Sequence, residues 1–168
     1  MKKLYLIITL LCLMVLPAGS CFAQDEETGS GHTVSEITDQ PALYYEAYLH
    51  EGDWSGRCTA MQSAGDPYGT QTIDAIRMQI DLNRYLDIIY RVHNKEGWTP
   101  WVKNNELAGT PGKAIDGIEI RLEGRASIIY DVSYAVMIDG KGWQKWTKEK
   151  QTAGDLQNVI RAIRIKIE

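Results

Sequence analysis

The sequence predicts an all-β fold: a closed, threefold pseudo-symmetric domain of three four-stranded repeats, β-prism-like, with a β-trefoil as the alternative. Three observations predict it. From Leu43 onward the apolar residues recur with period two, as in Tyr130, Val132, Tyr134, Val136 and Ile138, so that one face of each extended segment is apolar. Tryptophan returns at Trp54, Trp98 and Trp143, spaced by 44 and 45 residues. The last alternating segment ends at Ile167, one residue before the final Glu168, so an open stack of repeats would leave an uncovered edge that closure removes.

The chain of 168 residues, 44% of them apolar, is long enough to bury one core without disulfides or metals. Residues 1–23 read as a secretory signal: Lys2 and Lys3 precede an apolar run from Leu4 to Leu16, and small residues at Cys21 and Ala23 suit cleavage before Gln24. The run is too short and too one-sided to be a membrane span. A lipid anchor at Cys21 is the less favoured alternative, because Ala18 stands where a larger aliphatic residue is wanted; the expected location is secreted, extracellular or cell-surface associated. Residues 24–42 are acidic, rich in Gly, Ser and Thr, and lack apolar period, which describes a flexible linker.

With the signal removed, Cys58 is the single cysteine, so the expected mature chain has no internal disulfide, and nothing beside Cys58 marks an activating base. Of 18 basic residues two belong to the signal, which leaves 16 against 22 acidic residues and a balance of −6. That excess, with no basic patch in the sequence to offset it, disfavours nucleic acid as a partner.

The repeats occupy 43–82, 88–122 and 130–167. Each begins with a short apolar strand: Tyr45 to Leu49, Ile88 to Val92, Tyr134 to Ile138. A tryptophan segment follows, then Ala108-Gly109 in the second copy, Ala153-Gly154 in the third and Ala64-Gly65 in the first. Each copy closes on an alternating strand: Ile73, Ile76, Met78 and Ile80; Ile115, Ile118, Ile120 and Leu122; Ile160, Ile163, Ile165 and Ile167. Turn residues such as Asn94, Pro111-Gly112 and Asp139-Gly140 separate them.

The order Gly-Trp-x-x-Trp-Val, Ala-Gly-Thr-x-Gly-Lys, Ile-x-x-Ile-x-Ile-x-Leu at 97 to 122 resembles the Clostridial hydrophobic repeat with a central tryptophan, the ChW repeat. The likeness extends to the third copy and weakens in the first, where Arg57 replaces the second tryptophan and Asp66-Pro67-Tyr68-Gly69 replaces the short turn. What the resemblance implies is a secreted or surface protein of Gram-positive bacteria with repeats in sets of three. It also implies a role in binding carbohydrate or another surface partner, and it carries over no catalytic residue.

Residues three apart on a regular strand face opposite sides, so Trp98 and Trp101 share one side only if Thr99-Pro100 makes a turn or bulge. The first tryptophan position is invariant among the copies, while the second is Arg57, Trp101 and Trp146. An unpaired charge is costly to bury. Trp54, Trp98 and Trp143 are therefore expected in the core, and Trp101 and Trp146 at the surface. An exposed indole flanked by Asn104, Asn105 and Lys148, with Arg57 in the first copy, suits a sugar ring; covering a sheet edge, or a cell-surface protein partner, are the competing roles.

No catalytic residue, cofactor or metal is expected. The sequence lacks a Gly-x-Ser-x-Gly elbow and a His-Glu-x-x-His pair, and Asp81, Asn83 and Asp87 lack the glycine and closing glutamate of a calcium loop. Asp74 and Asp116 are repeat-equivalent carboxylates with Arg161 in the third place, expected to form a salt-bridge ring rather than the acid and base of a small glycoside hydrolase.

Overall fold

A computed structural model describes residues 41–81 and 83–168. The signal and nearly all of the linker lie outside the described residues. The fold is all-β, with several antiparallel sheets. Its strands are β1 (Ala42–Leu49), β2 (Cys58–Thr59), β3 (Ala64–Gly65), β4 (Ile73–Asp81), β5 (Asp87–Asn94), β6 (Gly97–Trp98), β7 (Val102–Lys103), β8 (Ala108–Gly109), β9 (Ile115–Glu123), β10 (Val132–Ile138), β11 (Gly142–Trp143), β12 (Thr147–Lys148), β13 (Ala153–Gly154) and β14 (Ile160–Ile167). A 3-10 turn, Arg125–Ile128, precedes β10.

Three long antiparallel pairs form the framework: β1 with β4, β5 with β9, and β10 with β14. Their registers are interrupted at equivalent places, Tyr48/Leu49, His93/Asn94 and Met137/Ile138. Alternation does what the sequence requires of it. The β-branched residues of β4, β9 and β14 point inward, and Ile76, Ile118 and Ile120 are fully buried.

The short Ala-Gly strands do not pair within their own copies. β8 pairs with β4, β13 with β9, and β3 with β14, so each long pair is extended by a strand from another copy. This crossing requires glycine. At Gly109 and Gly154 φ is +108° and +106°, and a Cβ would lie 2.3 Å from the Asp74 carbonyl oxygen and 2.2 Å from that of Asp116.

Tyrosine occupies the interior instead of tryptophan. Tyr45, Tyr90 and Tyr134 are at most 1% exposed, and each hydroxyl spans a junction between copies. The backbone N–H of Ile165 donates to Tyr45 Oη at 3.2 Å, that of Met78 to Tyr90 at 3.0 Å and that of Ile120 to Tyr134 at 3.1 Å. In turn these hydroxyls donate to the carbonyls of Gln62, Glu106 and Gln151. The carbonyls of Ile165, Met78 and Ile120 accept from the N–H groups of Met61, Asn105 and Lys150, at 2.8, 2.5 and 2.9 Å. Those three donors all have positive φ, the left-handed conformation that aims their N–H groups across the junction.

Trp54, Trp98 and Trp143 are therefore not core residues; all three are half-buried. Register explains the difference. They pair with Tyr48, His93 and Met137, and cross-strand partners share a face. Those partners alternate with the inward-facing residues of β1, β5 and β10, so the indoles lie on the outer faces.

Candidate ligand-binding face

On each outer face a tryptophan stacks with a cation. Arg77 lies 4.2 Å from the Trp54 ring centre, Arg91 4.6 Å from that of Trp98, and Arg164 4.0 Å from that of Trp143. Edge contacts from Tyr48 to Trp54 (5.3 Å) and from His93 to Trp98 (5.1 Å) hold the first two indoles further.

A bulge brings the second aromatic position to the same side. Trp98 is opposite His93, and Thr99 continues the ladder, its N–H donating to Val92 at 2.9 Å. Val102 is opposite Tyr90, so Pro100 and Trp101 together face the single residue Arg91. The extra residue reverses the alternation, and Trp101 returns to the outer face. It lies 4.5 Å from Arg91 and 4.3 Å from Arg121. The third copy repeats this: Gln144 continues opposite Val136, Thr147 faces Tyr134, and Lys145 with Trp146 faces Ala135. In the first copy Gly56 and Arg57 face Glu46 in the same way.

The expected ligand residues do not converge on one site. Trp146 is the most open of the tryptophans, 42% exposed, with Lys166 Nζ 5.2 Å from its ring centre. Trp101 is half-buried between its arginines. Arg57 stacks on Tyr44 at 3.9 Å and pairs with Asp81 at 3.6 Å. Asn104 is occupied by its own strands, donating to Asp87 at 2.5 Å and accepting from the Ile88 N–H at 3.2 Å. Asn105 lies beside Arg57 and Tyr44 in a groove of about 210 Å³ where the second copy meets the first, away from Lys148. Lys148 is exposed, opposite Ser133 on the face that carries Trp146.

The stacking arginines were the residues that sequence reasoning missed. Their signal was present: Arg77, Arg91 and Arg164 occupy outward positions in alternating strands whose other face is apolar.

The salt-bridge ring is also corrected. Asp74, fully buried, accepts from His50 Nδ1 at 3.0 and 3.1 Å and from the Gly112 N–H at 2.6 Å. Asp116 accepts from His93 Nδ1 at 2.5 Å, and Arg161 pairs with Asp139 at 3.4 Å. Each of the three pairs with a side chain at its own copy's first-strand end rather than with the other two, and Asp74 and Arg161 also reach another copy, at the Gly112 N–H and at the Asp66 and Gly69 carbonyls. His50, Asp116 and residues of all three copies line a cavity of about 320 Å³ at that end. Among the described residues no group of three or more His, Cys, Asp or Glu side chains is placed to hold a metal ion.

In this geometry the recurring tryptophan is an outer-face device, and residues 94–124 match the family model described as ChW, Clostridial hydrophobic W. That segment is a ChW repeat. The ChW match spans β6 to β9 and hence Trp98, Trp101 and the Ala108-Gly109 crossing. ChW repeats are typical of extracellular bacterial proteins and point to a binding module. Among the described residues no helix is long and apolar enough to cross a membrane. No curated protein and no solved structure matches the chain significantly.

Proposed function

We propose that the protein is a secreted, non-catalytic module of three ChW-like repeats, closed about a pseudo-threefold axis in a prism-like arrangement, that binds carbohydrate at the cell surface. The three reciprocal Ala-Gly crossings support the closure, since each copy both lends and receives a strand. The observation that carries the ligand reading is Trp146: an indole 42% exposed, with the Lys166 ammonium over its ring, offers an apolar platform with a hydrogen-bond donor close by. A sugar needs both, because its CH face is apolar and its hydroxyls must stay hydrogen-bonded.

Non-catalysis is favoured by the third copy. His50–Asp74 and His93–Asp116 would each present an imidazole base, yet Asp139–Arg161 stands at the corresponding strand end, as expected of groups that lock turns.

A glycan array read with tryptophan fluorescence tests the reading. Wild type is expected to bind at least one glycan class, and Trp146→Ala, shown to be folded, to lose it. Retained binding by that variant would exclude the platform.

A second reading, a protein-interaction domain, is favoured by Tyr68 (96% exposed) and Ile128 (87% exposed), large side chains on loops outside the sheets. Pull-down from culture supernatant with and without Tyr68→Ser tests it.

A further inference from the structure

One row of side chains distinguishes the outer face of the third copy from the other two. The residue opposite each bulge is Glu46, Arg91 or Ala135, and its cross-strand partner on the long strand is Arg77, Glu119 or Arg164. In the first copy the stacked Arg77 pairs with Glu46 at 2.5 Å. In the second the charges change sides, and Arg91 pairs with Glu119 at 2.8 Å. In both, the cation under the tryptophan is neutralised by the carboxylate directly opposite.

The third copy keeps the cation and lacks the carboxylate. Arg164 faces Ala135, its Nε donates to the neutral Ser63 hydroxyl at 2.9 Å, and its guanidinium stacks on Trp143. Among the described residues no carboxylate lies within ion-pair distance of Arg164, Lys145 or Lys148. The next row, Lys166, Ser133 and Lys148, adds two cations, one of which, Lys166, is paired with Glu168.

We infer that this face takes an acidic glycan, its carboxylate or phosphate held by the Arg164 guanidinium and a sugar ring resting on Trp146. The inference rests on the carbohydrate reading above and adds the charge of the ligand. Arg164 and the Trp146 bulge flank Ala135, so they stand two inter-strand spacings apart, roughly 10 Å, which adjacent residues of a sugar chain span. Nη1 and Nη2 form a planar fork suited to a carboxylate or phosphate. A protein side-chain carboxylate would satisfy Arg164 alone; the open indole beside it favours a ligand that is both anionic and saccharide. On the other two faces the corresponding arginines are already paired, with Glu46 and Glu119, which confines this attraction to the third.

The test uses the intact protein with a galacturonate trisaccharide, the same sugar with its carboxylates methyl-esterified, a glycerol phosphate polymer and polyglutamate. The acid is expected to bind about tenfold or more tighter than its ester, the worth of one charge-assisted hydrogen-bonded pair, with the preference shrinking as salt rises. Arg164→Gln removes the preference but also the Ser63 contact. Ala135→Glu keeps that contact and restores the carboxylate found at Glu46; it is expected to remove the preference while leaving binding of the ester unchanged. Preference for the glycerol phosphate polymer over the ester, lost in both variants, supports the inference with phosphate as the anion. Equal binding of acid and ester, or a preference that survives both substitutions, overturns the inference and leaves the carbohydrate reading standing. Binding of none of the saccharides overturns both. Polyglutamate bound as tightly as the best saccharide overturns the inference in favour of an acidic protein.

Discussion

The Tyr134 hydroxyl accepts the Ile120 N–H at 3.1 Å and donates to the Gln151 carbonyl, so one side chain ties the second copy's long strand to the third copy's loop. Without the hydroxyl the N–H of Ile120, a fully buried residue, loses this partner. Tyr134→Phe keeps the ring and removes the bridge, and is expected to cost about 1–3 kcal/mol in a urea titration. Tyr45→Phe and Tyr90→Phe should cost similar amounts, because their hydroxyls do the same work at the other two junctions. A loss confined to one of the three would argue against equivalent junctions.

The same three tyrosines set a limit in alkali. Burial pushes each up from 10 to about 12, against smaller opposite effects of the hydrogen bonds they accept. A folded-state value above the unfolded one means that this stability is fully present below pH 10 and is lost as pH rises through about 12. Each tyrosine contributes on the order of 2–3 kcal/mol of that dependence. Unfolding followed by circular dichroism is expected to steepen between pH 10 and 12, with phenolate absorbance rising together with loss of structure rather than before it.

Gly154 crosses within 2.2 Å, measured to a Cβ built at its Cα, of the Asp116 carbonyl oxygen, at φ +106°. Gly154→Ala would meet both the backbone clash and the strained conformation. A loss of at least about 1–3 kcal/mol is expected from strain alone. Gly140→Ala is a useful control: its φ is also positive, +69°, but no atom lies within 4 Å of an added Cβ. A smaller loss at Gly140, by thermal melting of both proteins, would isolate the cost of the close crossing.

Cys58 is 8% exposed, and burial, with the nearby Glu46 charge adding to it, pushes its thiol above the ordinary value. Its thiolate fraction at neutral pH is correspondingly small. Ellman's reagent is expected to modify Cys58 slowly in the folded protein and quickly in urea. Fast modification in the native state would mean that β2 opens readily.

Much of this arrangement was legible in the residues. The strands from Leu43 to Ile167, the correspondence of the Ala-Gly pairs and the inward Ile rows all follow from period-two alternation read across three copies, since the pleat ties side-chain direction to residue parity. Thr99-Pro100 was the one visible hint that parity would break before Trp101. What alternation could not supply was partnership between copies. Tyr45, Tyr90 and Tyr134 look like any inward aromatic until the neighbouring strand brings an N–H to each hydroxyl, and Trp54, Trp98 and Trp143 look like core until register sets them beside outward residues.

Residue order alone settled that this chain builds sheets, roughly where its long strands run, and that its tryptophans recur as a device. Which strand each Ala-Gly segment joins, which charge each arginine meets, and why Arg164 meets none were decided only when distant segments came into contact. Side-chain direction is a local property of the backbone, whereas hydrogen-bond and charge partners depend on loop closure over tens of residues, and nothing in a single strand's sequence encodes that.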